Sequence, residues 1–477
     1  VNEPLTPATD AVDEPDAPHE PDAPDEPHEP DAPDPGRRVT GWWRRAWPYL
    51  VVVAVALVGS ALHTARYTVL SPFDESRHLD YMARIYEDGY VVKLGDKLAD
   101  TAMRLEACRG VDVPDYVPPP CATRRFDPVA FRDEGYNNAV NNPPLYYLVT
   151  GGVAYGAEGV GLSDSVLDPA RLMGGVWLAA GLALVVLAGD RLRVRRIPLV
   201  AAAVIFALAP EPLFMAATVN ADSAAIFAGA LTLVAALAWE RRRLPIGWLA
   251  AVGVLVAALK MTNLIGVGIV ALWFATQALR VRGRDPEGGR TPREYLWAIA
   301  LLVGGAVGMT LLWIAIAGAR ATVDALALPS NQQFYEPGFP WQAFALRQNV
   351  FSLFPPLGGL RPPVLATRMN DTVAYASGWL AGAVVITAAL RFDARRRLVT
   401  LGAWTGAVLL LAGPGFIMST WVVNRVIFQP VARYGLSAIP MLVLATAVTV
   451  RGRVGTVLIA AFALLAAGTV LGTLTFG

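Results

Sequence analysis

The sequence predicts an all-α, polytopic integral membrane protein of the type that crosses the bilayer about eleven times and carries two long extracytoplasmic connections. Three observations predict it. Of 477 residues, 55% are hydrophobic and only 17% charged, with a mean hydropathy of +0.43, which is too apolar for a soluble chain of this size. Apolar runs of bilayer-crossing length recur near 47–65, 170–189, 197–217, 220–239, 246–261, 262–279, 295–317, 372–390, 398–421, 436–450 and 454–475. Arginine clusters then fall in every second connection, at Arg37/Arg38/Arg44/Arg45, 191–196, 241–243, 280–293, 391–397 and Arg451/Arg453. By the positive-inside rule those connections are cytoplasmic, so the N-terminus is expected inside a plasma membrane and the C-terminus outside.

The chain opens on an acidic, proline-rich segment. Residues 1–36 hold 12 of the 39 acids and none of the 40 Lys and Arg, so the remainder is strongly basic. Without aromatic residues it has too little apolar surface to offset chain entropy, and residues 1–40 read as a disordered cytoplasmic tail. It has neither the basic start nor the short apolar core of a cleaved signal. His19 and His28 lie in it and read as parts of a solvated, self-repelling tail. Residues 41–477 then form the membrane domain.

After the first span comes Ser71-Pro72-Phe73-Asp74-Glu75-Ser76-Arg77-His78-Leu79-Asp80-Tyr81, within an extracytoplasmic connection over 66–169. If helical after Pro72, it places Asp74, His78 and Tyr81 on one face, at i, i+4 and i+7. An acid, an imidazole and a phenol in one patch at the membrane surface suit general-base chemistry or cation binding. Cys108 and Cys121, the only cysteines, lie in the same connection. An oxidising compartment would allow them a disulfide, with two unpaired thiols as the alternative. The run Asn137-Asn138-Ala139-Val140-Asn141-Asn142-Pro143-Pro144-Leu145-Tyr146-Tyr147 follows. Its prolines mark a helix start, and Asn141, Asn142 and Tyr146 either belong to that entry or line the cavity beside Asp74.

Ionisable residues inside spans are costly and by default face a cavity. Asp222 and Lys260 are the clearest cases, although each lies near a span end from which it could snorkel. Glu211 sits between Pro210 and Pro212 in an outer turn, either as a solvated carboxylate or as a metal or acceptor contact. Arg433, beside Tyr434, precedes a span on the side where arginine is disfavoured, which suits a lipid phosphate held by a guanidinium. Arg347 and Arg425 are placed similarly, with ordinary interfacial anchoring as the equal alternative. The second long connection, 318–371, is rich in aromatics, read as membrane anchors with a platform for sugars as the alternative. No Walker-type loop, His-Glu-x-x-His, Cys-x-x-Cys or outer Gly-x-Ser-x-Gly elbow is present.

The order Asp-Glu-x-x-His-x-x-Tyr, Asn-Pro-Pro-Leu-Tyr-Tyr, Asn220-Ala221-Asp222, Lys260 and Arg433-Tyr434 resembles the multi-pass GT-C glycosyltransferases, which use lipid-linked sugars. These include protein mannosyltransferases and aminoarabinose transferases, and the likeness is nearest to a bacterial branch related to them. It runs from about 47 to 445. One departure is that asparagines stand where some relatives carry a histidine before the Pro-Pro pair. The resemblance implies an inverting transferase with a polyprenyl-phosphate-sugar donor and a cell-envelope glycan or glycolipid acceptor on the outer face.

Asp74 would then be the base, with Glu75 or His78 orienting it. Tyr81, Asn141, Asn142, Tyr146, Asp222, Lys260, Arg433 and Tyr434 would bind substrate. A divalent cation, Mg or Mn, would draw on Asp74, Glu75 or Glu211. No nucleotide cofactor and no nucleic acid partner are expected. The competing readings are a transporter or flippase, or a non-catalytic binding protein, for lipid-linked saccharides.

Overall fold

The computed structural model describes residues 35–113, 115–282, 289–324, 333–335, 338–341, 351–357, 362–393 and 396–477. The acidic segment 1–34, including His19 and His28, lies outside the described residues, as does Arg347. The chain divides into two units, 1–46 and 47–477. In the first, Trp42 and Trp43 stand in an edge contact, their rings 4.8 Å apart.

The second unit is almost wholly helical. Its membrane body contains α1 (Pro35–Arg66) from residue 47 onward, α5 (Leu167–Arg191), α6 (Arg196–Ala207), α7 (Pro210–Ala216), α8 (Ala225–Glu240) and α9 (Gly247–Leu259). After these come α10 (Leu264–Val281), α11 (Pro292–Arg320), α12 (Arg368–Leu390), α13 (Arg397–Asn424), α14 (Ile439–Thr449) and α15 (Gly452–Phe476). Among the described residues nine helices are long and apolar enough to cross a membrane, or ten if one bent pair counts as a span. Every apolar run read in the sequence coincides with a helix, but among the described residues not every run is by itself a helix of crossing length.

Two runs account for the difference. The 197–217 run is α6 and α7, bent by 71°, because Pro210 and Pro212 begin a new helix instead of extending the old one. The 246–261 run is a helix of only 13 residues, ended where Lys260 turns to extended backbone at φ −164°. Two helical stretches, Ala221–Glu240 and Ala432–Thr449, are 83% buried and form the centre of the bundle. Pro292–Arg320 and Gly452–Phe476, at 17% and 22%, present most of their apolar side chains outward.

The 66–169 connection is a folded layer. It holds α2 (Glu75–Glu87), α3 (Asp100–Arg109) and α4 (Leu145–Gly159). Leu98, Ala102, Met103, Phe126 and Phe131 give it a small core of its own, and Cys108 and Cys121 are joined in a disulfide. A short antiparallel ribbon pairs β1 (Gln333–Tyr335) with β2 (Val426–Phe428).

Candidate active site

Asp74 sits at the N-terminus of α2 in the left-handed region, with φ 63°. Its carboxylate does not cap the helix; Oδ1 instead accepts a bond of 3.2 Å from Asn138 Nδ2. A non-glycine residue in this conformation is uncommon and places the side chain off the helix axis, here toward the asparagine run. Burial raises the affinity of Asp74 for a proton, but the nearby charges of Arg77 and Arg433 outweigh it and hold the carboxyl below its usual range.

One turn along α2, His78 is buried, with Nδ1 2.6 Å from the Tyr147 hydroxyl. Burial, followed by the field of Lys260, pushes its pKa down to about 3, so the imidazole is neutral near pH 7. Tyr81 stacks on Tyr147 with ring centres 4.1 Å apart and donates to the Asn142 carbonyl at 3.4 Å. Tyr146 accepts from Ser223 at 3.3 Å and so ties α4 to the entry of α8. The helix expected after Pro72 is therefore present, and so is the helix start at Pro143-Pro144.

The asparagine run divides its work differently from the sequence expectation. Asn141 is exposed and makes no side-chain bond among the described residues, while Asn142 closes its own turn on the Ala139 carbonyl at 3.1 Å. Asn138 holds Asp74, and Asn137 donates to Asp80 at 2.8 Å and to the Arg77 carbonyl at 3.0 Å. Four asparagines in six residues were visible as a polar cluster; which of them faced Asp74 depended on the 3-10 turn over Asn138–Asn141.

Glu75 requires a correction. Its two oxygens are occupied by Arg171 Nε and Nη2, both at 2.8 Å, and by the backbone amides of Ser71 at 2.7 Å and Val219 at 2.8 Å. Both side chains are fully buried. A carboxylate with its lone pairs so filled neither orients Asp74 nor holds a cation; it clamps α2 to the bundle. Arg171 was not singled out in the sequence because a span-end arginine resembles an ordinary interfacial anchor.

The third component comes from breaks in three central helical stretches. Asp222 lies in the 3-10 turn that opens α8, Lys260 in the break between α9 and α10, and Arg433 in the 3-10 run Ala432–Ala438 before α14. Lys260 Nζ is 2.7 Å from Asp222 Oδ1, and Arg433 Nε is 3.1 Å from Asp222 Oδ2. All three are buried, and none snorkels. The Tyr434 ring lies 5.3 Å from the Lys260 ammonium and 5.7 Å from the Arg433 guanidinium, which also stands over Phe73 at 5.1 Å. Arg433 spends only Nε on Asp222, and its two terminal nitrogens have no partner among the described residues.

Helix packing places that arginine. Gly229 of α8 has the Ser437 carbonyl where a Cβ would stand, and the Gly266 amide of α10 donates to Ser437 Oγ at 3.1 Å. Two close approaches thus pin the Ala432–Ala438 run between α8 and α10. Arg433 feels Asp222, Asp74 and Glu211, and His78 feels Lys260, Asp74, Asp222 and Arg433. The α2 face and the helix-break cluster are therefore one electrostatic unit.

Of the three residues named for a divalent cation, Glu75 has no lone pair left to give one. Asp74 and Glu211 share the field of Arg433, and no three His, Cys, Asp or Glu side chains converge among the described residues. Arg425, the other interfacial candidate, is exposed and lies over Trp421 at 4.3 Å.

The chain is similar to a solved ArnT. That structure, ArnT from Cupriavidus metallidurans bound to undecaprenyl phosphate, aligns at 17% identity and a TM-score of 0.48, covering 86% of this chain. The chain spans 60% of that protein's length. No family model and no curated protein matches the sequence.

Proposed function

We propose that the chain is a membrane glycosyltransferase that moves a sugar from a polyprenyl-phosphate donor to a cell-envelope glycan or glycolipid. The observation that carries this reading is the buried Lys260–Asp222–Arg433 cluster beside Asp74, with guanidinium nitrogens left over. Lys260 and Arg433 share Asp222 at the helix breaks, and Arg433 keeps its two terminal nitrogens, free among the described residues, to meet an anion. A guanidinium with two unspent nitrogens offers a phosphate entering on a lipid chain two parallel charge-assisted hydrogen bonds. The apolar walls supplied by Phe73 and Tyr434 suit the first isoprene unit and the sugar face.

In this mechanism the leaving group is a phosphate, so its departure needs charge neutralisation by Lys260 and Arg433 more than an acid. The acceptor hydroxyl attacks the anomeric carbon from the opposite side, the bond to the phosphate oxygen breaks, and the configuration inverts. Asp74 takes the hydroxyl proton. Because Asp74 is held below the usual carboxylate range it is a weak base, suited to a proton that leaves late, when the carbon–phosphate-oxygen bond is nearly broken. His78 stays neutral and keeps Tyr147 and Tyr81 in place beside it.

The same reading puts Asp74 on the extracytoplasmic face. Arginines crowd the helix ends away from it, and the Cys108–Cys121 disulfide belongs to its own layer. The test is transfer from a panel of polyprenyl-phosphate sugars to a crude envelope acceptor by purified protein in lipid, with wild type beside Asp74→Asn. Product from the wild type alone is expected. Donor binding without product from either would instead favour a carrier or binding protein for lipid-linked saccharides.

A further inference from the structure

The end of the bundle away from Asp74 carries a second concentration of charge. Arg191 ends α5, Arg193 sits in the turn after it, Arg241 follows α8, Arg396 and Arg397 begin α13, and Arg451 precedes α15. All six line one cavity of about 820 Å³. The only acid in its lining, Asp190, is already engaged by the Tyr49 hydroxyl at 3.1 Å and by Arg196 at 3.2 Å.

Four of the six have local partners, Arg191 through the Val234 carbonyl at 3.1 Å. Arg397 pairs with Glu240 and lies over Trp273 at 5.0 Å, Arg396 reaches Asp393 at 3.7 Å, and Arg241 donates to the Arg191 carbonyl. Arg193 and Arg451 have no side-chain partner among the described residues. Arg193 is also held in the left-handed region at φ 56°, a conformation that strains a non-glycine residue. The positive-inside rule accounts for arginine in these connections; it does not require them to converge on one cavity. Brought together, they repel one another unless an anion enters.

Between the arginines the lining is apolar, from Leu192, Leu398, Val399 and Val448. A soluble phosphate would leave that surface in water, whereas a glycerol backbone and the start of acyl chains would cover it. The cavity also opens among the ends of long apolar helices, and such ends are where a spanning helix meets headgroups. We propose that it binds the headgroup of an anionic phospholipid bearing two phosphates, at a site separate from the one beside Asp74.

The test uses the full chain in nanodiscs of phosphatidylcholine containing a small fraction of cardiolipin, with retained lipid counted by native mass spectrometry. Wild type should retain cardiolipin in preference to phosphatidylcholine. The double variant Arg193→Gln/Arg451→Gln should lose that preference by about tenfold or more, and Arg193→Lys/Arg451→Lys should fall between, since it keeps charge but not the planar fork. The lysine pair also serves as the folded comparison if the glutamine pair is unstable. Equal retention by wild type and the glutamine variant, or no preference in the wild type, would overturn the site. Saturable binding of inorganic pyrophosphate in pure phosphatidylcholine discs, with no cardiolipin preference, would overturn the lipid assignment in favour of a soluble anion.

Discussion

Glu75 and Arg171, 96 residues apart in the chain, meet through two parallel bonds of 2.8 Å in a fully buried pair. The same guanidinium donates to the carbonyls of Tyr67 at 2.5 Å and Val69 at 2.7 Å. One ion pair therefore joins the end of the first span, the start of α2, the Val219 amide and α5. It fixes where Asp74, the residue just before Glu75, can stand.

Glu75→Gln should destabilise the protein by about 3–5 kcal/mol, because it strands a buried guanidinium. Thermal unfolding in detergent measures this. Combining it with Arg171→Met should cost less than the two single changes together. Strict additivity would mean the two side chains do not act as a pair.

Removing Asp222 should separate binding from turnover. In Asp222→Asn the pocket gains net positive charge, so donor affinity should hold or tighten, while kcat should fall because Lys260 and Arg433 lose their common anchor. Lys260→Met and Arg433→Met should each weaken donor binding roughly tenfold or more, the worth of one charge-assisted hydrogen bond. Donor binding indifferent to all three changes would remove the cluster from phosphate recognition.

Gly229 provides a test of placement without touching any charge. Gly229→Ala puts a methyl group against the Ser437 carbonyl and should push the Arg433 segment away from α8. The expectation is weaker donor binding in a protein that still inserts and remains monodisperse. Unchanged binding would show that Arg433 tolerates displacement.

The neutral His78 carries a pH signature. With its folded pKa near 3 and an ordinary imidazole near 6.5, the unfolded chain takes up a proton that the folded chain refuses. Stability should therefore be complete above about pH 6.5 and decline as the pH falls toward 3. His78→Gln should flatten that decline in thermal unfolding between pH 4 and 8. Parallel curves for the two proteins would refute the assignment.

The disulfide should stabilise the folded layer over α2 to α4. Cys121→Ser opens a loop with a sequence separation of 13 and should lower stability by about 2–3 kcal/mol. A matched loss in wild type under reductant checks that the bond is responsible.

Much of this architecture was legible in the order of residues. Hydropathy determines where helices form in a bilayer, because unpaired backbone groups cannot remain there, and every apolar run became helix. The Asp74–His78–Tyr81 spacing was readable because helical periodicity is local. So were the prolines that divide α6 from α7 and start α4. Charge within apolar surroundings marked Asp222 and Lys260 one by one, and Arg433 by its place on the side where arginine is disfavoured.

Pairing was decided only by tertiary structure. Neighbouring acids Asp74 and Glu75 look alike in sequence, yet one lies by the asparagine run and the other is bonded to a residue 96 positions away. Whether Lys260 snorkels or turns inward depended on the helix break at that position and on Asp222 arriving from another span. Among the four asparagines, backbone turn geometry chose the partner of Asp74. Composition and periodicity act over one or two helical turns; the choice of partner is a long-range contact, set by how packed helices bring distant breaks to one point.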